Sequence, residues 1–303
     1  RSSTRAEAIN TQHRNPDYLR EFELSQKILA TADLYEALID TDWIIVATPS
    51  HALRGLLEKA VEFIPPVPMV LAAKGIENDS LMTLDEVVCD VLGHAWEPRI
   101  LALSGPSFAR EIVQLYPTAV VLACIDEGLA EDIAQLLFSD TFRAYTTTDI
   151  IGVEMGGAIK NVMAIAAGGV VGMGWGHNTR ITLITRGLAE ITRFAVAKGA
   201  NPLTLSGLAG MGDLVLTCTG GLSRNRAVGQ ALGEGKSLEQ ALKEVKQVAE
   251  GVRTTKSAYQ LANRLNVDAP ITRAVYSVLY ENASITDAVN GLVRRHPGRE
   301  LEY

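Results

Sequence analysis

Only three cysteines occur in 303 residues, and Cys89, Cys124 and Cys218 form no Cys-x-x-Cys pair and no zinc-ligand pattern. That rules out a disulfide framework and fits a reducing, cytoplasmic setting. Also lacking is any run near the roughly 18 uninterrupted apolar residues of a membrane span, so no membrane insertion is expected. No signal peptide is visible at the start. The five histidines are scattered, without a triad-like or metal-ligand grouping. Positive charge is not in excess either: 28 Lys and Arg against 35 Asp and Glu leave a net charge of −7. Nucleic-acid binding therefore has little electrostatic support, and any anion site must be local. Finally, position 1 is Arg1 rather than methionine, so a preceding segment is expected.

The sequence does contain 47% hydrophobic residues, enough to fill two cores at roughly 150 residues per domain. Trp43 to Thr48, Met69 to Ala73, Ile100 to Ser104 and Ala119 to Cys124 are short β-rich runs. Ala52 to Phe63 and Leu81 to Leu92 between them carry apolar residues at helical spacing. This alternation predicts a Rossmann-like, doubly wound parallel sheet over residues 1–149. From residue 150 to 303 the character is helical, with segments at Ile159 to Val171, Arg180 to Lys198, Ser223 to Leu232, Leu238 to Val245 and Lys256 to Leu265. The fold class expected is thus α/β followed by all-α.

A doubly wound sheet normally opens with a strand, a glycine-rich turn and a helix that seat a dinucleotide pyrophosphate. Here that first β-α unit is missing. Gly172-x-Gly174-x-Gly176 and Gly210-x-Gly212 are poor substitutes, because neither follows a strand and opens a helix. The chain is expected to start at the end of the second strand. Arg1 then lies where such folds read the adenosine ribose and can pair with the 2′-phosphate of NADP, or it belongs to a frayed charged terminus.

Three strand ends converge on the carboxyl edge of the predicted sheet. Val46-Ala47-Thr48-Pro49-Ser50 lets backbone pass close to a flat ligand, Lys74 follows the next buried strand, and Ser104-Gly105-Pro106-Ser107 follows a third. Taken singly, Lys74 also reads as a solvated lysine and Gly105-Pro106 as a plain turn. In the helical half, Lys160 and Asn161 sit within Gly156-Gly157-Ala158-Ile159-Lys160-Asn161-Val162, so Lys160 either snorkels or lines a cavity. Desolvation in a cavity would bring a lysine into the range of acid-base work. Asp213 in Gly210-Met211-Gly212-Asp213-Leu214 caps a helix or joins a site. Ser223-Arg224-Asn225-Arg226 reads as a helix start, either a phosphate cradle or a surface cap.

The Gly-Gly-Ala-Ile-Lys-Asn run, the Gly-Asp-Leu turn and Ser-Arg-Asn-Arg, in that order, resemble the NAD(P)-dependent glycerol-3-phosphate dehydrogenases of bacterial type. The resemblance implies that the helical half is like that of 6-phosphogluconate dehydrogenase. It also implies NAD or NADP as cofactor, a homodimer, and interconversion of dihydroxyacetone phosphate and sn-glycerol 3-phosphate for phospholipid synthesis. Carried over by position, Lys160 is the general acid and base, with Lys74 and Asp213 completing the catalytic cluster. Gly105, Ser107, Ser223, Arg224 and Asn225 contact substrate, joined by Lys74, Lys160 and Asp213. Arg1, Lys74, Ala109, Arg224, Val248 and Glu250 fall at cofactor-contacting positions.

Overall fold

The computed structural model describes residues 2–245 and 249–295, so Arg1 and Val248 lie outside the described residues. The first half runs α1 (Ser3–Gln12), α2 (Leu34–Leu38), β1 (Ile44–Val46), α3 (Leu53–Ala60), β2 (Met69–Leu71), α4 (Leu84–Leu92), β3 (Ile100–Ser104), α5 (Ala109–Val113), β4 (Thr118–Ala123), α6 (Glu127–Leu137) and β5 (Phe142–Thr147). Side chains on a strand alternate between faces, and the core divides accordingly. Met69, Leu71 and Ile100 pack with Leu53 and Leu57 of α3 and Val87 and Val88 of α4. Val70, Leu101 and Leu122 pack with Ala130 and Ile133 of α6. Both faces are covered, which is why the strands read as continuous apolar runs.

The strand order is β1-β2-β3-β4-β5. β1, β2 and β3 pair parallel, as do β4 and β5, but β3 and β4 are antiparallel, with Ala102 opposite Ala123. The sheet is therefore mixed rather than parallel throughout. The reversal falls at the connection of residues 105–117. Its helix, five-residue α5, at about 1.5 Å per residue spans only about half the length of β3, at about 3.3 Å per residue, so it is shorter than the crossover helices that usually join parallel strands.

The second half is α7 (Ile150–Gly172), α8 (His177–Ala197), α9 (Asp213–Thr219), α10 (Arg224–Gly233), α11 (Leu238–Val245), α12 (Glu250–Leu265), α13 (Pro270–Tyr280) and α14 (Ile285–Val293). Asp149 caps α7, its Oδ1 accepting from the Gly152 amide at 2.9 Å. α7 thus begins nine residues before the expected Ile159 and forms the axis of this half. It is long and apolar enough to cross a membrane, but 89% of its most apolar window is buried within the protein, which makes it a core helix. α10 crosses it at close range. A methyl group at Gly168 would overlap the Arg226 carbonyl, and one at Gly229 would overlap that of Ile165, so only glycine permits this approach. The buried Glu190 of α8 accepts from the amides of Ile271 and Thr272 at 2.8 Å each and so caps α13.

Candidate active site

The crossing of α7 with the sheet edge brings Lys74, Lys160 and Asp213 together. Lys160 projects from the middle of α7 and is 7% exposed. Lys74 follows β2, and its stem passes α7 at Gly157, where an added methyl would stand 2.9 Å from Ser104 Oγ and 3.4 Å from the Lys74 stem. Asp213 comes from the other side. A π-helical turn over Leu208–Gly212 precedes α9, with Gly210 tight against the Leu205 backbone, and it delivers Asp213 as the first residue of that helix. Single π turns of this kind are frequent at functional sites.

The Asp213 carboxylate bridges the two lysines. Lys160 Nζ donates to Oδ1 and Lys74 Nζ to Oδ2, each at 2.6 Å. Lys160 Nζ also donates to Thr217 Oγ1 at 2.8 Å, while that hydroxyl donates to the Asp213 carbonyl at 2.6 Å. Lys74 Nζ reaches the Gly105 carbonyl at 3.3 Å, and Ser104 Oγ reaches Asp213 Oδ2 at 3.4 Å. An ammonium has three donors, so each lysine keeps one for a ligand oxygen.

Burial, reinforced by the nearby Lys74 charge, brings the Lys160 ammonium down to about 8 against the pull of Asp213. Burial alone would raise the Asp213 carboxyl, but the two ammonium groups outweigh it and hold the carboxyl below its ordinary value. Burial pushes the neighbouring Cys218 thiol up to about 12, which leaves it a protonated packing residue.

Gly105 turns the chain after β3 at φ +128°, a conformation open to glycine, and its carbonyl accepts from Ser107 Oγ at 3.0 Å. Ser223 caps α10, accepting from the Arg226 amide at 3.3 Å. Arg224, the first residue of that helix, is exposed and makes no hydrogen bond or ion pair among the described residues. Asn225 is buried: it donates to Asn161 Oδ1 at 2.9 Å and accepts from the Gly251 amide at 3.0 Å, tying α10 to α7 and α12. Ala109 is exposed at the start of α5 and takes no part in the polar cluster. Glu250 opens α12 and accepts from Ser50 Oγ at 2.6 Å across the crevice.

Sequence reasoning placed Ser50 and Ser104 in ligand-facing strand ends but gave no role to the side chains of Thr217, Ser104, Asn161 or Ser50. A signal existed for Thr217: it stands four residues after Asp213, hence on the same helix face once α9 is placed. For Ser50 and Glu250, 200 residues apart, there was no local signal.

The carboxyl edge of the sheet suits a dinucleotide. Thr48 Oγ1, just beyond β1, is buried with no hydrogen-bond partner, and the approach of Ser50 to Gly75 leaves no room for a methyl there. An orphaned hydroxyl at that edge, two lysines paired through one carboxylate, and a helix start whose arginine has no partner among the described residues fit a nicotinamide cofactor with a small anionic substrate. Fold and site together define a two-domain, nicotinamide-nucleotide-dependent dehydrogenase.

Known proteins narrow the class. The profile of the NAD-dependent glycerol-3-phosphate dehydrogenase N-terminus matches residues 1–130, and that of the C-terminus matches residues 149–290. The chain belongs to this family. It is 51% identical to the glycerol-3-phosphate dehydrogenase [NAD(P)+] of Myxococcus xanthus, over 99% of this chain and 90% of that one. Identity to the Leptospira biflexa enzyme is 46% over the same shares. The crystal structure of glycerol-3-phosphate dehydrogenase from Coxiella burnetii superposes with a TM-score of 0.92 at 35% identity, covering 97% of this chain and 90% of that one.

Proposed function

We propose that the chain interconverts dihydroxyacetone phosphate and sn-glycerol 3-phosphate with NAD(P)H, supplying glycerol 3-phosphate for phospholipid synthesis, with Lys160 as general acid in ketone reduction. The observation that carries this is the buried Lys74–Asp213–Lys160 bridge, which leaves two ammonium donors for one oxygen. The division of labour falls at Asp149, with a dinucleotide-binding unit over 1–149 and a substrate and catalytic unit over 150–303.

A nicotinamide cofactor, when bound, would supply the hydride. As it reaches the carbonyl carbon, negative charge grows on the oxygen, where Lys74 and Lys160 stabilise it. Lys160, with an ammonium near 8, then delivers the proton, and in the reverse direction its neutral amine removes one. Asp213 holds both lysines, and Thr217 fixes the Lys160 rotamer. Gly105 and Ser107 line the substrate side. Ser223, Arg224 and Asn225 form the phosphate end, Arg224 contributing a cation that no anion among the described residues neutralises and the α10 N-terminus contributing its first-turn amides. Thr48, Ala109, Glu250 and Arg224 face the cofactor in this reading, with Arg1 and Val248 added by position.

Arg224→Ala tests the phosphate assignment. Losing a charge-assisted contact worth about 2 kcal/mol raises KM for dihydroxyacetone phosphate roughly 30-fold and leaves KM for a non-phosphorylated ketone unchanged. Steady-state NADH oxidation with both ketones measures it. An unchanged KM for the phosphorylated substrate would place the phosphate elsewhere.

A further inference from the structure

Ser50 opens a short 3-10 turn behind Pro49, in which the Ala52 amide returns to the Pro49 carbonyl at 2.9 Å, so its backbone is fixed by the entry into α3. It is 6% exposed. A methyl group at Gly75, the residue after Lys74, would overlap its hydroxyl. Ser50 therefore lies against the loop that carries one of the two lysines of the site. From there its Oγ crosses to the helical half and donates to Glu250 Oε2 at 2.6 Å.

The backbone around Glu250 is held without help from Ser50. The Gly251 amide donates to Asn225 Oδ1 at 3.0 Å, and the Gly251 carbonyl accepts from Thr255 Oγ1 at 2.7 Å. The Val252 carbonyl accepts from the Tyr280 hydroxyl at 2.7 Å. Further along α12, Ser257 Oγ donates to the Ile76 carbonyl at 3.1 Å and ties the helix to the same loop after Lys74. What these contacts leave loose is the Glu250 side chain, whose long stem can sample several rotamers. Apart from the Ser50 bond, no hydrogen bond or ion pair reaches its carboxylate among the described residues. A hydroxyl donating to a carboxylate makes a strong, short bond, and it selects one of those rotamers. Oε1 then keeps its lone pairs for an N–H or O–H donor of a ligand. Because Ser50 abuts the Lys74 loop, that acceptor stands at the reacting end of the crevice.

We propose that Ser50 is a positioning residue for the cofactor, its hydroxyl holding the Glu250 carboxylate in the rotamer that presents Oε1 to the N–H and O–H donors of the nicotinamide nucleoside. The proposal rests on the reading of Glu250 as a cofactor contact. Ser50 acts through Glu250 and adds no contact of its own.

Binding measured without turnover tests this. The whole protein is titrated with NADH and NADPH by the fluorescence of the reduced ring, and with ADP-ribose and its 2′-phosphate, which lack the nicotinamide, by calorimetry. Ser50→Ala should raise Kd for the reduced cofactor about tenfold, the scale of a lost hydrogen bond to a charged group. It should leave Kd for the ADP-ribose ligands as in wild type. Glu250→Ala should weaken the reduced cofactor at least as much, and adding Ser50→Ala to it should cost nothing more. An unchanged Kd for the reduced cofactor in Ser50→Ala, equal weakening of both ligand types, or a further loss in the double variant would each overturn the proposal. If circular dichroism shows that Ser50→Ala does not fold, Ser50→Cys keeps the size and replaces the hydroxyl with a weak donor, and the same comparison of ligands decides. A loss in Glu250→Ala without one in Ser50→Ala sinks the proposal alone. No loss in either variant removes Glu250 from the cofactor site and sinks the reading on which the proposal stands.

Discussion

Lys160→Ala should lower kcat for ketone reduction by at least about 10³-fold, combining the loss of a general acid with the loss of an oxyanion donor. The fold should survive. Lys160 is buried at the contact of α7 with α9, and alanine removes a desolvated cation there without disturbing the glycine-mediated crossing of α7 and α10. Asp213 would keep Lys74, so the carboxylate would not be left unpaired. Single-turnover NADH oxidation, with circular dichroism as the check on folding, measures the effect. Turnover within about tenfold of wild type would remove Lys160 from the chemistry.

Asp213→Asn should slow reduction by another route. The amide leaves two ammonium groups facing each other with no anion between them. Asp213 is what opposes burial and the Lys74 charge at Lys160, so its loss sends the Lys160 ammonium below about 8. On the usual scale for a neighbouring charge the fall is about 2 pH units. At neutral pH Lys160 would then be largely uncharged, and reduction should slow by about tenfold on that account, recovering toward acid pH as the lysine reprotonates. The pH profile of kcat separates this from simple unfolding, which would give no recovery. An alkaline limb unmoved from wild type would mean that Asp213 does not tune Lys160.

Much of this was legible in the sequence. Met69, Val70 and Leu71 or Ile100 and Leu101 read as strands because a strand covered on both faces must be apolar throughout. β5 was not legible. Phe142-Arg143-Ala144-Tyr145-Thr146-Thr147 lies at the sheet edge with only half-buried positions on its inner face, so its pattern is diluted. The early start of α7 was masked by Gly156 and Gly157, which weaken any local helix signal, and packing against the sheet and α9 overrides that weakness.

The site divides in the same way. Lys160 stood out as a cation in an apolar helix, and Lys74 as a lysine at a strand end. Asp213 left two readings open, cap or site member, and the structure makes it the first residue of α9 and the bridge between both lysines. Ser104 and Thr217 carried no charge anomaly and became visible only when three distant segments met. The antiparallel β4 follows a connection whose helix has only five residues, which no local pattern displayed.

The most direct test of Lys160 as proton donor is the pH dependence of kcat/KM in both directions. Reduction needs the ammonium and should fall as pH rises through about 8, whereas oxidation of glycerol 3-phosphate needs the amine and should rise through the same value. Mirror-image limbs that share one apparent pKa near 8, both abolished in Lys160→Ala, are the predicted result. Limbs that persist unchanged in Lys160→Ala would contradict the account.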